Sequence, residues 1–258
     1  MDVDKKFEEL VSASGNSFHS RVAGWLKSQG WDVIVSPYYM DQAQGKAREI
    51  DIVAEKICKK RGSHRHQSIF IVVRLFIECK FVSLPSVFWF ADRDRLETEE
   101  LVCRSGPFRM DNTRTLEHHY LAGPASVAKV FASSPAKEPD NEPFYKALNQ
   151  VLNARTAMRG MESFVSGLPE HNHFLRKTLE FPVVVLNSFS NLRKVNFYED
   201  SLIEPVNSNF QLEVRYAHSR PDGASRSEFL MVDFVEFNQL GKFCESLNVD
   251  ADVAAFLA

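Results

Sequence analysis

The stretch SIFIVVRLFIECKF, residues 68–81, constrains the fold more than any other part of the chain. It is apolar at nearly every position until Arg74 and Glu78, where a half-exposed strand would alternate. Such a strand is covered on both faces. Just before it, GKAREIDIVAEKI alternates polar and apolar residues, the pattern of a second strand. The polar segment between them, CKKRGSHRHQ, contains Gly62 and reads as a hairpin loop. Upstream, NSFHSRVAGWLKSQG sets Phe18, Val22, Trp25 and Leu26 on one stripe. Asn16 or Ser17 caps its start and Gly30 its end, so a helix is expected there. WDVIVSPYY follows as a strand halted by Pro37. Val3, Phe7, Leu10 and Val11 carry helical spacing ahead of all this.

The remainder is less regular. FYKALNQVLNARTAMRGM reads as a helix and LEFPVVVLNSF as a buried strand. KVNFYE, FQLEVRYA and SEFLMVDFVEF read as further strands. The C-terminus reads as one or two helices, with Leu240, Phe243, Cys244 and Leu247 on a stripe. SPAKEPDNEP is an exposed loop, too short for a domain linker. A single mixed α/β domain over residues 1–258 is expected, with a core at 15–81, an elaboration at 84–142 and a continuation at 143–258.

With 258 residues the chain builds a core of ordinary size, so neither disulfide nor metal is needed for stability alone. Its net charge of −3 is unlike the strongly basic balance of a dedicated nucleic-acid binder, although a local basic patch remains compatible with it. The four cysteines, Cys58, Cys79, Cys103 and Cys244, form no CxxC pair, which argues against a zinc ribbon and for a reducing, cytoplasmic setting. No signal-peptide pattern opens the chain, and no run reaches the roughly 18 apolar residues of a membrane span.

Charge appears where the two strands end. Residues two apart in a strand share a face, so Glu78 and Lys80 lie together and Cys79 points away. In the preceding strand Glu49 and Asp51 share a face. A hairpin through CKKRGSHRHQ brings Asp51 and Glu78 to one patch beside Lys80. Two convergent carboxylates repel unless one is protonated or a cation joins them. Mg²⁺ prefers oxygen and is held by one or two carboxylates plus substrate phosphate. A neighbouring lysine orients a water, and the set suits phosphodiester hydrolysis. The plainer reading is an ion pair at a strand end.

The order helix, strand, REIDIVA, loop, IFIVVRLFIECK resembles the PD-(D/E)XK nucleases, the restriction-endonuclease-like superfamily, over residues 15–81. The matching residues are Asp51, Glu78 and Lys80. The resemblance implies a mixed central sheet flanked by helices, here with additional C-terminal strands and helices. It implies Asp51, Glu78 and the carbonyl of Cys79 as ligands of Mg²⁺ or Mn²⁺, Lys80 as the residue positioning the attacking water, and DNA as the default substrate. It further implies a dimer or partner subunit, and prokaryotic defence or DNA processing as the setting. RNA is not distinguished from DNA, and a non-catalytic DNA-binding or scaffold subunit of the same fold is the competing expectation. Many family members carry a glutamate on the first helix; here His19 stands there. His19 reads either as a metal or phosphate contact or as a surface histidine. Glu49 reads either as a substitute negative charge or as a salt-bridge partner of Arg48 or Lys46. Gln150 sits where some nucleases of this build place a polar group near the metal.

Lys59, Lys60, Arg61 and Arg65 cluster at the hairpin, as phosphate contacts beside the site or as an ordinary solvated loop. Cys58, His64 and His66 lack zinc-finger spacing. His118 with His119, and His171 with His173, read as surface residues. Phe88, Trp89 and Phe90, followed by Arg93 and Arg95, read as core packing or as a base-stacking platform.

Overall fold

Helix α1 (Asn16–Ser28) buries Phe18, Val22 and Leu26 on the expected stripe. It ends where Gly30 adopts φ +78°. There Gly30 N–H donates to Lys27 O at 3.0 Å and Trp31 N–H to Leu26 O at 3.1 Å, the paired bonds of a glycine-terminated helix. This computed structural model describes residues 7, 11, 16–41, 45–61, 68–133, 143–166, 168, 175–199, 202–219 and 225–258. The helix expected near Val3 to Val11 and the proline-rich loop lie almost wholly outside these residues, as do Arg65, His171 and His173.

Strand β1 (Asp32–Val35) halts at Pro37 as expected, but the next element differs from the sequence reading. GKAREIDIVAEKI is not one strand. It divides into β3 (Lys46–Glu49) and β4 (Ile52–Arg61), and β3 pairs with β2 (Tyr38–Asp41) in a separate two-stranded sheet. The break has a local cause. Ser36 N–H donates to Asp51 O at 2.8 Å and Ile50 N–H to Pro37 O at 3.1 Å. The two chain segments cross there, and a proline without an N–H cannot prolong the β1 ladder through them.

β4 and β5 (Ser68–Lys80) form the expected antiparallel hairpin, with Ile52 opposite Ile77 and Arg61 opposite Ser68. Every residue of β5 from 69 to 78 is buried. The arginine in this run is balanced in register. Arg74 stands opposite Glu55 of β4 and Glu180 of β8 (Leu175–Leu186). Its guanidinium reaches Glu55 at 2.5 Å and Glu180 at 3.1 Å. Glu55 in turn accepts the N–H groups of Phe164 at 3.0 Å and Val165 at 3.2 Å, which clips that segment to the sheet.

The elaboration at 84–142 is part of the same sheet. It supplies β6 (Ser86–Asp92), α2 (Arg95–Ser105), the short helix α3 (His119–Ala122) and β7 (Ser126–Ser133). Helix α4 (Pro143–Ala157) then leads back to β8, which runs parallel to β5. β9 (Leu192–Asn196), β10 (Glu204–Pro205), β11 (Phe210–Ser219) and β12 (Ser225–Glu236) complete a ten-stranded mixed sheet of order β1-β4-β5-β8-β12-β11-β7-β6-β9-β10. The C-terminus is a single helix, α5 (Leu240–Leu257), after a short 3-10 turn. α1, α4 and α5 all pack against β5, the most deeply covered strand. Among the described residues no helix is long and apolar enough to cross a membrane.

Candidate active site

The β4–β5 register carries Asp51, just before β4, level with Glu78 near the end of β5. Asp51 N–H donates to Glu78 Oε1 at 3.3 Å, and Cys79 N–H donates to Asp51 Oδ2 at 2.7 Å. Lys80 Nζ lies 2.9 Å from Glu78 Oε2. The three side chains singled out in the sequence are therefore brought together, each held by backbone or by another of the three. Glu78 is 0% exposed, while the Lys80 side chain keeps 20% of its surface open. Burial is the main reason that the Glu78 carboxyl is pushed up to about 7. The Lys80 ammonium pulls it down and the Asp51 charge pushes it up. A nearby cation would favour the anionic form of this carboxyl. The Cys79 thiol is pushed well up by burial and offers no thiolate.

The residues fit a hard divalent cation. They offer two carboxylates, one just before β4 and one near the end of β5, one desolvated and one half-buried, and among the described residues no sulfur or imidazole is hydrogen-bonded to either.

The accessory residues sort differently. Because the strand breaks at Ile50, Glu49 does not share a strand with Asp51. It stands opposite Tyr38, whose hydroxyl is hydrogen-bonded to it, and Arg48 pairs with Asp41 at 2.6 Å instead. Gln150 on α4 braces this backbone. Its Nε2 donates to Glu49 O at 3.3 Å, and its own carbonyl accepts the Tyr39 hydroxyl at 3.3 Å. His19 is buried on α1 and not a surface residue, and its Nε2 has no hydrogen-bond partner. No hydrogen bond or ion pair joins it to Asp51, Glu78 or Lys80.

The basic cluster is not beside the carboxylates. Lys59, Lys60 and Arg61 occupy the end of β4 paired with the start of β5, while Asp51 and Glu78 lie at the opposite end of the hairpin. At about 3.3 Å per residue the separation is roughly 30 Å. The turn of a hairpin is necessarily its far end from the strand termini that carry this site. Arg93 is likewise committed: its guanidinium donates to the carbonyls of Tyr120, Gly123 and Pro124. Arg95 pairs with Glu99 at 2.8 Å. Phe88 is core, packed against Phe131, Phe144, Phe210 and Phe234.

His118 and His119, expected at the surface, are buried beside Asp233 and Asp250. Nothing in local spacing signals this, because the partners lie more than a hundred positions downstream. A cleft of about 760 Å³ opens elsewhere, between β6, β9 and β11, lined by Phe90, Asp92, Lys194, Tyr198 and Gln211. It contains none of Asp51, Glu78 and Lys80.

No protein-family model, no curated protein and no solved structure matches the chain.

Proposed function

We propose that this chain is a metal-dependent nuclease of the PD-(D/E)XK type, hydrolysing DNA phosphodiester bonds. The observation that carries this reading is the convergence of Asp51, Glu78 and Lys80 on one strand end, with Glu78 fully buried and its carboxyl raised to about 7. The element order supports it: α1 precedes β1, β4 and β5, and α4 connects to the parallel strand β8. Asp51 and Glu78 would hold Mg²⁺ or Mn²⁺, with the Cys79 carbonyl as the implied third ligand. The ion supplies Lewis acidity and a water acidified enough to attack phosphorus near neutral pH.

The chain's own groups set the geometry. The Cys79 N–H fixes the Asp51 carboxylate, and the Asp51 N–H steadies Glu78. Lys80 spends one ammonium proton on Glu78 and presents the others to a water or a non-bridging phosphate oxygen. Attack proceeds without a covalent enzyme intermediate. Gln150, by bracing Glu49 O, holds the backbone two residues before Asp51. With His19 in place of a first-helix carboxylate, one ion is the expected complement.

A second reading has its own support. The Lys80–Glu78 pair at 2.9 Å is self-sufficient, the net charge is −3, and the hairpin cations are remote. A non-catalytic nucleic-acid-binding or scaffold subunit, or a nuclease that needs a second copy or partner to grip its substrate, accounts for these facts. Incubating wild type with plasmid, linear duplex, single-stranded DNA and RNA in Mg²⁺, Mn²⁺ or EDTA separates the readings. The nuclease predicts cutting that EDTA stops and that Asp51→Ala and Lys80→Ala each lower by at least about 100-fold. No cutting, with no Mg²⁺-dependent rise in melting temperature, moves the chain to the binding class. The preferred substrate decides DNA against RNA.

A further inference from the structure

His118, His119, Asp233 and Asp250 form a second polar cluster that the nuclease reading does not use. His118 caps α3, His119 begins it, Asp233 lies on β12 and Asp250 on α5. All four are buried. One ligand atom each from His118, His119 and Asp250 lies within 4.8 Å of the others. His118 Nε2 is enclosed, has no hydrogen-bond partner, and faces Asp250 Oδ2 at 3.6 Å. His119 Nδ1 is hydrogen-bonded to the same Asp250 Oδ2. We propose that these three residues bind a divalent transition ion of the zinc type, a structural centre tying α5 to α3.

Donor chemistry selects the ion. Two imidazole nitrogens with one carboxylate oxygen suit Zn²⁺ and are poor ligands for Mg²⁺. A four-coordinate ion would take its fourth ligand from a water enclosed with it. The outer groups also match. His119 directs its other nitrogen, Nε2, to Asp233 Oδ2 at 3.3 Å, and Asp233 is fixed by the Tyr120 hydroxyl at 3.1 Å. A carboxylate behind a ligating imidazole holds the ring and raises its basicity.

Charge balance points the same way. Asp233 and Asp250 are two buried carboxylates hydrogen-bonded to one imidazole, His119. Arg155, a buried cation beside Tyr120, also faces Glu180 and Glu228. A divalent ion with two neutral imidazoles brings Asp233 and Asp250 to zero net charge. One contact opposes loading. His118 Nδ1 accepts the Tyr120 N–H at 3.1 Å, which keeps the ring proton on Nε2. Binding moves that proton to Nδ1 and gives up this single backbone bond in exchange for coordination at Nε2.

The site is closed, so the ion enters during folding and the test loads it there. Full-length protein is unfolded, then refolded with Zn²⁺, Co²⁺ or EDTA, desalted and assayed for bound metal. The expected result is about one Zn²⁺ per chain and, with Co²⁺, the visible absorption of a four-coordinate ion. Asp233→Asn weakens Co²⁺ binding by about 10–100-fold without abolishing it. His118→Gln abolishes it, with circular dichroism confirming the fold. Asp51→Ala leaves it unchanged, which separates this centre from the proposed nuclease ion. A wild type that refolds without retaining metal, or Co²⁺ absorption that His118→Gln leaves intact, overturns the assignment and leaves a hydrogen-bonded Asp–His–Asp lock.

Discussion

The Asp51–Glu78–Lys80 and His118–His119–Asp233–Asp250 clusters are made of the same materials, buried carboxylates beside a cationic or basic group, yet their electrostatics run in opposite directions. At the strand end, burial outweighs Lys80 and raises the Glu78 carboxyl to about 7, so the site is short of positive charge at working pH. Under α5, burial pulls the His119 imidazole down, but Asp250 and Asp233 overcome it and raise it to about 10 in the metal-free protein. One cluster leaves a carboxylate poorly satisfied beside a partly open lysine. The other encloses every group and holds Asp250 through the His119 backbone N–H at 2.8 Å and the His119 imidazole, with His118 Nε2 unpaired at 3.6 Å.

The largest expected effect tests the enclosed half. Asp250→Ala strands the His119 charge between apolar rings and Asp233, and should cost about 3–5 kcal/mol of unfolding free energy in a urea titration. A loss below about 1 kcal/mol would mean that the cluster contributes little to stability. The pH profile sharpens the point. A base whose folded value is raised from 6.5 to about 10 gives stability that is present in full below 6.5 and lost as pH rises through 10. Metal-free protein should therefore soften at alkaline pH, and Asp250→Asn should flatten that limb.

The strand-end site should lose stability in the same direction of pH but over a lower range, because there burial penalises the charged form. An acid raised from 4.5 to about 7 makes the folded state bind more protons between those values. With respect to this group, stability is highest below 4.5, falls as pH rises through 7, and is constant above, for a total of about 3 kcal/mol. Glu78→Gln removes the ionisation, so in EDTA at pH 8 the variant should be more stable than wild type by up to about 3 kcal/mol. It should also lose any Mg²⁺-dependent gain. If Glu78→Gln proves destabilising in EDTA, the Lys80–Glu78 pair is a structural ion pair and the comparison fails at its first term.

The contrast also explains what was legible in the sequence. Asp51 and Glu78 lie 27 positions apart across one hairpin, and alternation, a polar loop and a buried run suffice to bring them together. His119 and Asp250 lie 131 positions apart on short or helical elements, and no local period links them. The break at Ile50 was illegible for a related reason. REIDIVA alternates smoothly, and only the crossing of Ser36–Pro37 over Ile50–Asp51 interrupts it. Composition reveals a basic turn but not which end of the hairpin the site occupies, so it leaves phosphate contact and a solvated loop equally open. β6 and β7 join the sheet through partners far along the chain, so their weak alternation carried no placement.

That crossing yields the smallest effect and the sharpest local test. Ser36 is the one described non-glycine residue with a left-handed backbone, at φ +53°, and this turn aims its N–H at Asp51 O. A left-handed conformation costs an L-residue about 1–2 kcal/mol, most for β-branched side chains and least for glycine. Ser36→Val should therefore lower stability by about 1–2 kcal/mol in urea, and Ser36→Gly should stay within about 1 kcal/mol of wild type. If the crossing serves only the fold, metal-dependent cleavage follows stability and returns to the wild-type rate below the melting transition. If it positions Asp51, Ser36→Val cuts more slowly at temperatures where it is fully folded and needs more Mg²⁺ for half-maximal rate, while Ser36→Gly does not. Equal Mg²⁺ dependence in all three proteins would assign the strained turn to the architecture of β1 and β4 alone.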